Sequence, residues 1–469
     1  MTFSILTILK LANGLPPEGE GTTVVAARRS ATYLKWRGKG REQVYIVYCL
    51  IPNRRKEFMF FRLFTLGCKV NQYETETVRT ALLRLGYTEA EDGGIADLVI
   101  VNTCTVTAES EAKSRKAVRK LVNENPGAKV VVIGCAVTHH PDSVLRIGGV
   151  SQIIPDKEQI PDFLRQLGLT ELPKGIDSFG ERHRASIKIQ DGCRIGCAYC
   201  IIPKVRPILR SRPIEEILPE IQTLARNGYR EIILTGIHLG HYGIDLADKN
   251  VRLPELIHRI VELPETFRLR LSSLEAVEVS DELIDLMLRY PDRICPHLHL
   301  SMQSGSDAVL RRMKRRWLSE PFVRRCEEIL SQFDRLALTT DVIVGFPGET
   351  AEQFDETCRI VERLRFSKIH IFRFSPRQGT EAETLPNRIP HLEQKHRSAI
   401  LTKLAEKLRA DFAASLIGNR ETVLLETAAS GTCGRYLDIR LNQPSEAGTL
   451  VPIQIERTKG DVCFGKITT

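Results

Sequence analysis

This 469-residue chain lacks several things, and each absence narrows the reading. No run of about 18 apolar residues occurs, so no membrane-spanning helix is expected. The opening stretch MTFSILTILKLANG is mildly apolar, but it has neither a basic leader nor a small-residue cleavage site, so no secretory signal is expected. Twelve cysteines are too few for a disulfide framework in a chain this long. Clustered as they are, they suit metal or catalytic work in a reducing cytosol. Charge is also scarce where a nucleic-acid binder would carry it. The formal net charge is +9, but residues 1–58 hold ten Lys/Arg against four Asp/Glu, which leaves +3 for the other 411 residues. Residues 420–469 balance six basic against six acidic groups. Any affinity for nucleic acid must therefore come from local patches.

The chain is too long for one ordinary core, so two to four domains are expected. Residues 1–58 have Pro16-Pro17, scattered glycine, a basic run and no sustained periodicity. They read as a basic, disordered extension, or as sequence upstream of a true start at Met59. From 60 to about 155, strands at 61–67, 97–103 and 129–134 alternate with helices at 73–86 and 108–123. That order implies a doubly wound parallel sheet. From 186 to 374, six more strands follow at 186–190, 230–236, 267–273, 297–303, 336–345 and 368–375. Helices such as 214–226 and 352–365 lie between them, so a partial or complete parallel barrel is expected. Residues 391–417 read as one long amphipathic helix. Residues 421–469 read as short strands with glycine turns, consistent with a small β-barrel.

Two cysteine sets stand out. Cys193, Cys197 and Cys200 follow a strand in a C-x3-C-x2-C loop, and Gly192 permits the tight turn. Three thiolates can hold three corners of a four-iron cluster, leaving one iron to chelate S-adenosylmethionine (SAM) and deliver the electron that cleaves it. The alternative is structural zinc, which wants four closed ligands, with His183 as the available fourth. The second set is Cys68, Cys104 and Cys135, one after each of the first three strands. Parallel strands present their C-terminal ends along one edge, so the three should converge there. They read as ligands of a second cluster, or as three small buried residues. Cys49, Cys295, Cys326, Cys358, Cys433 and Cys463 show no pattern and read as packing.

Chemistry in a parallel barrel sits at the strands' C-terminal ends. There the sequence offers Thr235, Gly236, Glu275, Gln303 and Asp341 as SAM contacts, with ordinary loop chemistry as the alternative. Basic clusters occur at Lys204, Arg206, Arg210 and Arg212, and at Arg311, Arg312, Lys314, Arg315 and Arg316 beside Trp317. Such groups suit phosphate contacts and base stacking. The first cluster lies beside the presumed active centre, which favours a substrate role. A solvated helix face is the alternative for the second.

Taken together, LGCKVNQYETE (66–76), VNTCTVT (101–107), GCAV (134–137), DGCRIGCAYCIIP (191–203), LTGIHLGHYG (234–243), HLSMQSGSDAVLRRMKR (299–315) and DVIVGFPGET (341–350) resemble the methylthiotransferases. The resemblance covers residues 60–469. Its wording is most similar to the branch acting on threonylcarbamoyladenosine in tRNA. It implies a methylthiotransferase domain (59–172), a radical SAM core (179–410) and a C-terminal barrel of the TRAM kind (411–469) that presents tRNA. It also implies two 4Fe-4S clusters, an auxiliary one on Cys68, Cys104 and Cys135 and a SAM-binding one on Cys193, Cys197 and Cys200. The implied reaction is methylthiolation at carbon 2 of an adenine next to the anticodon, drawing on two SAM molecules. An electron donor such as flavodoxin or ferredoxin and a sulfur source are implied, with a cytoplasmic location and no membrane. The same resemblance leaves room for isopentenyladenosine or a ribosomal protein as target. A non-catalytic iron–sulfur protein that binds RNA or senses redox state is the reading from another class. Two departures from the pattern stand out. Arg206-Pro207 replaces the usual Arg-Gly, and Arg194 follows the first cysteine of the loop where Asn is usual.

Overall fold

The computed structural model describes residues 59–180, 183–248 and 250–468 in full, and the backbone of 22–28, 31–38 and 41–47. Those three short segments are strands β1 (Thr22–Arg28), β2 (Ala31–Gly38) and β3 (Arg41–Val47), paired antiparallel in that order. These segments lie within the extension expected at residues 1–58. A run such as ATYLKWRG carries β-branched and aromatic residues suited to pairing. Cys49 lies outside the described residues.

Residues 59–469 form the second unit. It begins with a five-stranded, all-parallel sheet in the order β5–β4–β6–β7–β8. Its strands are β4 (Phe60–Thr65), β5 (Thr88–Glu89), β6 (Leu98–Thr103), β7 (Lys129–Gly134) and β8 (Val150–Ile154). Every residue of β6, LVIVNT, is buried, as expected for a central strand covered on both faces. Helices α1 (Lys69–Arg84) and α2 (Ala108–Glu124) follow β4 and β6. Thr107 caps α2 through its side chain with Ser110 reciprocating, which fixes where the chain turns after Cys104. After β7 the chain enters the short helix α3 (Cys135–His139) through Gly134, at φ 95°. A side chain on Gly134 would lie 2.3 Å from Asn102 Oδ1 and 2.5 Å from the Thr103 carbonyl, so only glycine lets the two strand ends approach. The edge strands β5 and β8 were not expected.

The six strands expected from 186 to 374 are present as β9 (Arg184–Asp191), β11 (Glu231–Gly236), β12 (Arg268–Leu271) with β13 (Ser273–Leu274), β14 (His297–Leu300), β15 (Ala337–Val344) and β16 (Lys368–Arg373). The third breaks at Ser272, so two sheets result: β10–β9–β11–β12 and β13–β14–β15–β16, with β10 (Arg210–Ser211) antiparallel to β9. Among the described residues β16 pairs with β15 alone, so the barrel is partial and open beside β16. Helix α1 of the N-terminal sheet packs against β9, and its Tyr73 joins the core of the barrel. The helix after β10, α4 (Ile214–Arg226), lies where expected. The long helix is α5 (His391–Ala414); it lies on β16 and leads into a closed barrel of β17 (Arg420–Thr427), β18 (Ser430–Cys433), β19 (Asp438–Leu441), β20 (Leu450–Lys459) and β21 (Val462–Ile467).

The C-terminal barrel is fastened to the base of the partial barrel by charge. Glu231 and Arg270 are fully buried and meet at 2.8 Å, and Arg268 also reaches Glu231, at 2.6 Å. The two guanidinium groups donate on to the carbonyls of Thr422, Thr432, Cys433 and Gly434. Tyr436 covers Arg270 at 3.7 Å from the ring centre. No described helix is long and apolar enough to cross a membrane.

Candidate active site

The three strand ends of the first sheet are gathered by one side chain. Asn71, buried in the first turn of α1, donates from Nδ2 to the carbonyls of Leu66 (2.9 Å) and Thr103 (3.0 Å). Its Oδ1 lies 4.0 Å from the sulfurs of both Cys68 and Cys135, so those sulfurs are within twice that distance of each other. Cys104 completes the group. A Cβ built on Gly67 would sit 2.9 Å from Cys104 Cβ and 3.1 Å from its sulfur, and Gly67, at φ 110°, avoids that clash. Cys68 is exposed, whereas Cys104 and Cys135 are buried. Lys157 points its ammonium at the Cys135 sulfur from 3.7 Å.

The second set forms a tight loop above β9. Gly192 takes φ 78°, and a Cβ there would fall 1.9 Å from the Ile208 carbonyl. Gln190 ties the base of the loop by donating to the carbonyls of Asp191 (2.7 Å) and Gly192 (2.8 Å). Cationic groups face the sulfurs: Arg315 lies 3.6 Å from Cys197, and His238 Nδ1 lies 3.8 Å from Cys193. Burial would lower the His238 imidazole, but its contacts with Cys193 and with Glu278 (2.5 Å) outweigh that and raise it to about 9. It therefore presents positive charge to the sulfur. Burial, with the neighbouring Cys197 and Cys193 adding to it, pushes the Cys200 thiol up to about 12. A thiol binds a metal only as thiolate, so metal binding at such a loop releases protons.

The spacing of the sulfurs bears on the zinc alternative. A tetrahedral zinc with sulfurs at about 2.3 Å needs ligand atoms about 3.8 Å apart. Neither cysteine triad has its three sulfurs within 4.8 Å of one another. His183, the suggested fourth zinc ligand, precedes β9 and faces Gly448 of the C-terminal barrel, a strand length from the loop. As placed, neither triad has the close spacing of a closed zinc site.

The two sets are joined by Arg206, only 4 % exposed. Its guanidinium donates to Asn71 Oδ1 (2.8 Å), to both Glu74 oxygens (2.8 and 2.9 Å) and to both Asp191 oxygens (2.7 and 2.8 Å). One end of the ion cluster thus meets Asn71 beside Cys68 and Cys135, and the other end anchors the strand that leads into the second loop. Pro207 does not divert this path: the Arg206 carbonyl accepts from Cys193 N–H at 3.1 Å.

Residues 187–361 match the radical SAM superfamily, and residues 61–155 match an uncharacterized protein family, UPF0004. The threonylcarbamoyladenosine tRNA methylthiotransferase MtaB of Thermotoga maritima is 38 % identical over 379 residues, covering 78 % of this chain and 86 % of that protein. The Bacillus subtilis protein of the same name is 38 % identical over 368 residues, covering 74 % and 81 %. The tRNA-2-methylthio-N(6)-dimethylallyladenosine synthase of Endomicrobium trichonymphae is 31 % identical over 381 residues, covering 80 % and 90 %. The chain belongs to the radical SAM methylthiotransferase family. As such it is an enzyme that works with 4Fe-4S chemistry and S-adenosylmethionine.

The groups expected to contact SAM are set around the mouth of this methylthiotransferase barrel. Thr235 is buried at the end of β11, and Gly236 lies against Gln190, where a Cβ would sit 3.0 Å from Oε1. Glu275 follows β13 and binds Arg315 at 2.5 Å; burial raises its carboxyl to about 7 despite that cation. Gln303 holds φ 68°, unusual for a residue with a side chain, and is fixed by backbone hydrogen bonds to Asp341 and Ile343. Such strain persists where the surroundings dictate it, and it clusters at functional sites. Asp341 lies on β15, three-quarters buried.

Several members of the basic clusters are held by partners within the chain. Arg206 and Arg212 are spent on buried carboxylates, Arg212 on Glu220 at 2.6 Å. Lys204 is held to the Gly379 carbonyl, and Arg210 pairs with Glu158 in solvent. In the second cluster Arg315 turns inward, and Trp317 is buried under it at 4.8 Å. The sequence shows these charges but not their distant partners. Asn71, His238 and Glu278 were not singled out as site residues, and Arg315 was expected to contact phosphate rather than a cysteine sulfur. Three of the family-like stretches contained Asn71, His238 and Arg315, but nothing in the spacing marked which polar residue would meet a sulfur.

Proposed function

We propose that this enzyme methylthiolates carbon 2 of threonylcarbamoyladenosine next to the anticodon of tRNA, with two 4Fe-4S clusters and two SAM molecules. The observation that carries the proposal is the joining of the two cysteine sets through Asn71 and Arg206, beside the open side of one barrel. A non-catalytic iron–sulfur protein has no use for a second triad placed there. The names of the 38 % identical relatives favour the threonylcarbamoyl base over the isopentenyl one.

In this reading Cys193, Cys197 and Cys200 hold one cluster, and Cys68, Cys104 and Cys135 the other. When bound, these groups and SAM supply the electron, the radical, the sulfur and the methyl group that an inert aromatic C–H bond demands. The chain's own part is placement. Arg315 and His238 offset the negative charge on the first sulfurs. Thr235, Gly236, Glu275, Gln303 and Asp341 surround the cosubstrate. Asn71 and Arg206 fix the distance between the two sets, and positioning of this kind is a large part of catalysis. The proposed division is residues 59–172 for the auxiliary cluster, 179–410 for the radical core and 411–469 for tRNA, with electrons from a flavodoxin or ferredoxin. Modified nucleosides in bulk tRNA, compared by mass spectrometry between cells with and without the gene, test the substrate. Loss of the methylthio form with accumulation of its unthiolated precursor supports the proposal. An unchanged nucleoside overturns the choice of base.

A further inference from the structure

Helix α2 has two unlike faces. Val118 and Leu121 bury its inner side in the apolar core of the N-terminal sheet. Lys113, Lys116, Arg119 and Lys120 fall on the outer side, and all four are exposed. Positions 113, 116 and 120 make one stripe, because residues three and four apart are neighbours on a helix. Arg119 lies beside that stripe. Lys113 pairs with Glu109 and Lys120 with Glu124, both in solvent, where such contacts are weak and readily exchanged. Among the described residues no carboxylate pairs with Lys116 or Arg119. The helix exposes only two carboxylates against these cations, because Glu111 is turned inward to Arg115 and Arg377.

The helix starts at the open side of the barrel. Its first backbone N–H, that of Ala108, donates to Ser375 Oγ at 3.2 Å, just beyond the end of β16. Buried Arg377 crosses from the same segment to the Glu111 carboxylate and to Thr105 Oγ1, next to Cys104. His139, at the end of α3, is held to the Gln378 carbonyl at 2.9 Å. These ties fix the direction in which α2 leaves the auxiliary triad. At about 1.5 Å per residue, the basic row runs from about 8 to about 18 Å beyond Ala108. A rigid cationic edge thus begins beside the mouth and leads away from it.

We propose that Lys113, Lys116, Arg119 and Lys120 form the surface along which the phosphate backbone of the tRNA docks. The inference rests on tRNA as the substrate and adds where the molecule is gripped. With the target base at the barrel mouth, the arm that carries it lies along α2. Phosphates meet exposed ammonium and guanidinium groups without regard to sequence, so the row positions the arm and leaves the choice of base to the site. Each neutralised phosphate releases condensed counterions, so a grip of this kind weakens steeply with salt.

The test measures binding of labelled tRNA to reconstituted holoenzyme by fluorescence anisotropy over a salt series. One probe is a tRNA carrying threonylcarbamoyladenosine, and the other is an unmodified transcript of the same tRNA. Lys116→Gln, Arg119→Gln and Lys120→Gln, combined, are expected to raise Kd on the order of tenfold and to reduce the slope of log Kd against log salt by about 2 to 3. The loss is expected to be the same for both probes, with iron content and Tm as in the native enzyme. Arg289→Gln, Arg324→Gln and Arg359→Gln, combined, remove the same charge from exposed positions on the helices Asp281–Arg289, Ser319–Ser331 and Ala351–Leu364. That second variant is expected to change Kd far less. An equal loss in the two variants, an unchanged salt slope in the α2 variant, or a loss confined to the modified tRNA overturns the proposal. If the native enzyme binds both tRNAs through this row but forms no methylthiolated product, the surface is supported and the proposed reaction fails instead.

Discussion

Replacing Arg206 by Met tests whether the ion cluster between the two cysteine sets supports the molecule as described. The substitution keeps much of the apolar stem and removes the guanidinium. Glu74, whose carboxyl is held well below its usual range against the cost of burial by Arg206, Lys188 and Lys157, then loses its closest partner. Asp191 loses two contacts, and Asn71 Oδ1 loses its donor while remaining 4.0 Å from two sulfurs. Breaking a buried ion pair costs about 3–5 kcal/mol, because the surviving charge stays buried. Lys188 remains 3.1 Å from Glu74 and 3.0 Å from Asp191, so the lower end, about 3 kcal/mol, applies here. For a unit of some 400 residues melting cooperatively, that is a fall in Tm of about 3–4 °C. Calorimetry on the metal-free protein measures it. Arg206→Lys should lie between the two, since an ammonium cannot span Glu74, Asp191 and Asn71 at once. Adding Glu74→Gln to Arg206→Met should recover part of the loss by removing the stranded charge. An Arg206→Met protein that melts within half a degree of the native one would refute the reasoning.

Three further outcomes follow from the same geometry. Gly192→Ala should prevent the second cysteine loop from closing, because its Cβ would meet the Ile208 carbonyl; about four irons per chain should then be incorporated on reconstitution instead of about eight. Asn71→Ala should lower methylthiolated product far more than SAM cleavage, measured on one reaction by mass spectrometry, since the second loop is untouched. Glu231 has its carboxyl depressed by Arg270 and Arg268, against burial. Its contribution is therefore full above the unfolded carboxyl value of about 4.3 and is lost as the pH falls below it. A Tm–pH series should show the native protein losing stability below about pH 4, and Glu231→Gln should flatten that limb while being less stable at pH 7.

Much of the fold was legible in the sequence because buried parallel strands are written as apolar runs. DLVIVNT and KVVVIG became β6 and β7 within a residue of their expected bounds. Cys68, Cys104 and Cys135 were recognisable as a set because each follows such a run. Strands β5 and β8 were not drawn: Thr88–Glu89 is two exposed residues defined by a neighbour, and VSQII, though flanked by Gly148-Gly149 and Pro155, is short and only partly buried. The strand expected at 267–273 was drawn whole because its break at Ser272 depends on which sheet each half joins. The partners of the arginines were not legible either. Arg206 finds Glu74 132 positions away, and Arg268 and Arg270 find carbonyls more than 150 positions away. Burial by a distant partner leaves no local mark on a charged residue.

The central claim is that two separate cysteine sets each hold a four-iron cluster and that both are needed for one product. The most direct test is Cys104→Ala, assayed for iron content, SAM cleavage and methylthiolated nucleoside in a single preparation. The account predicts loss of the product, roughly half the iron lost and SAM cleavage retained through the intact loop at Cys193, Cys197 and Cys200. Undiminished product from that variant would contradict it.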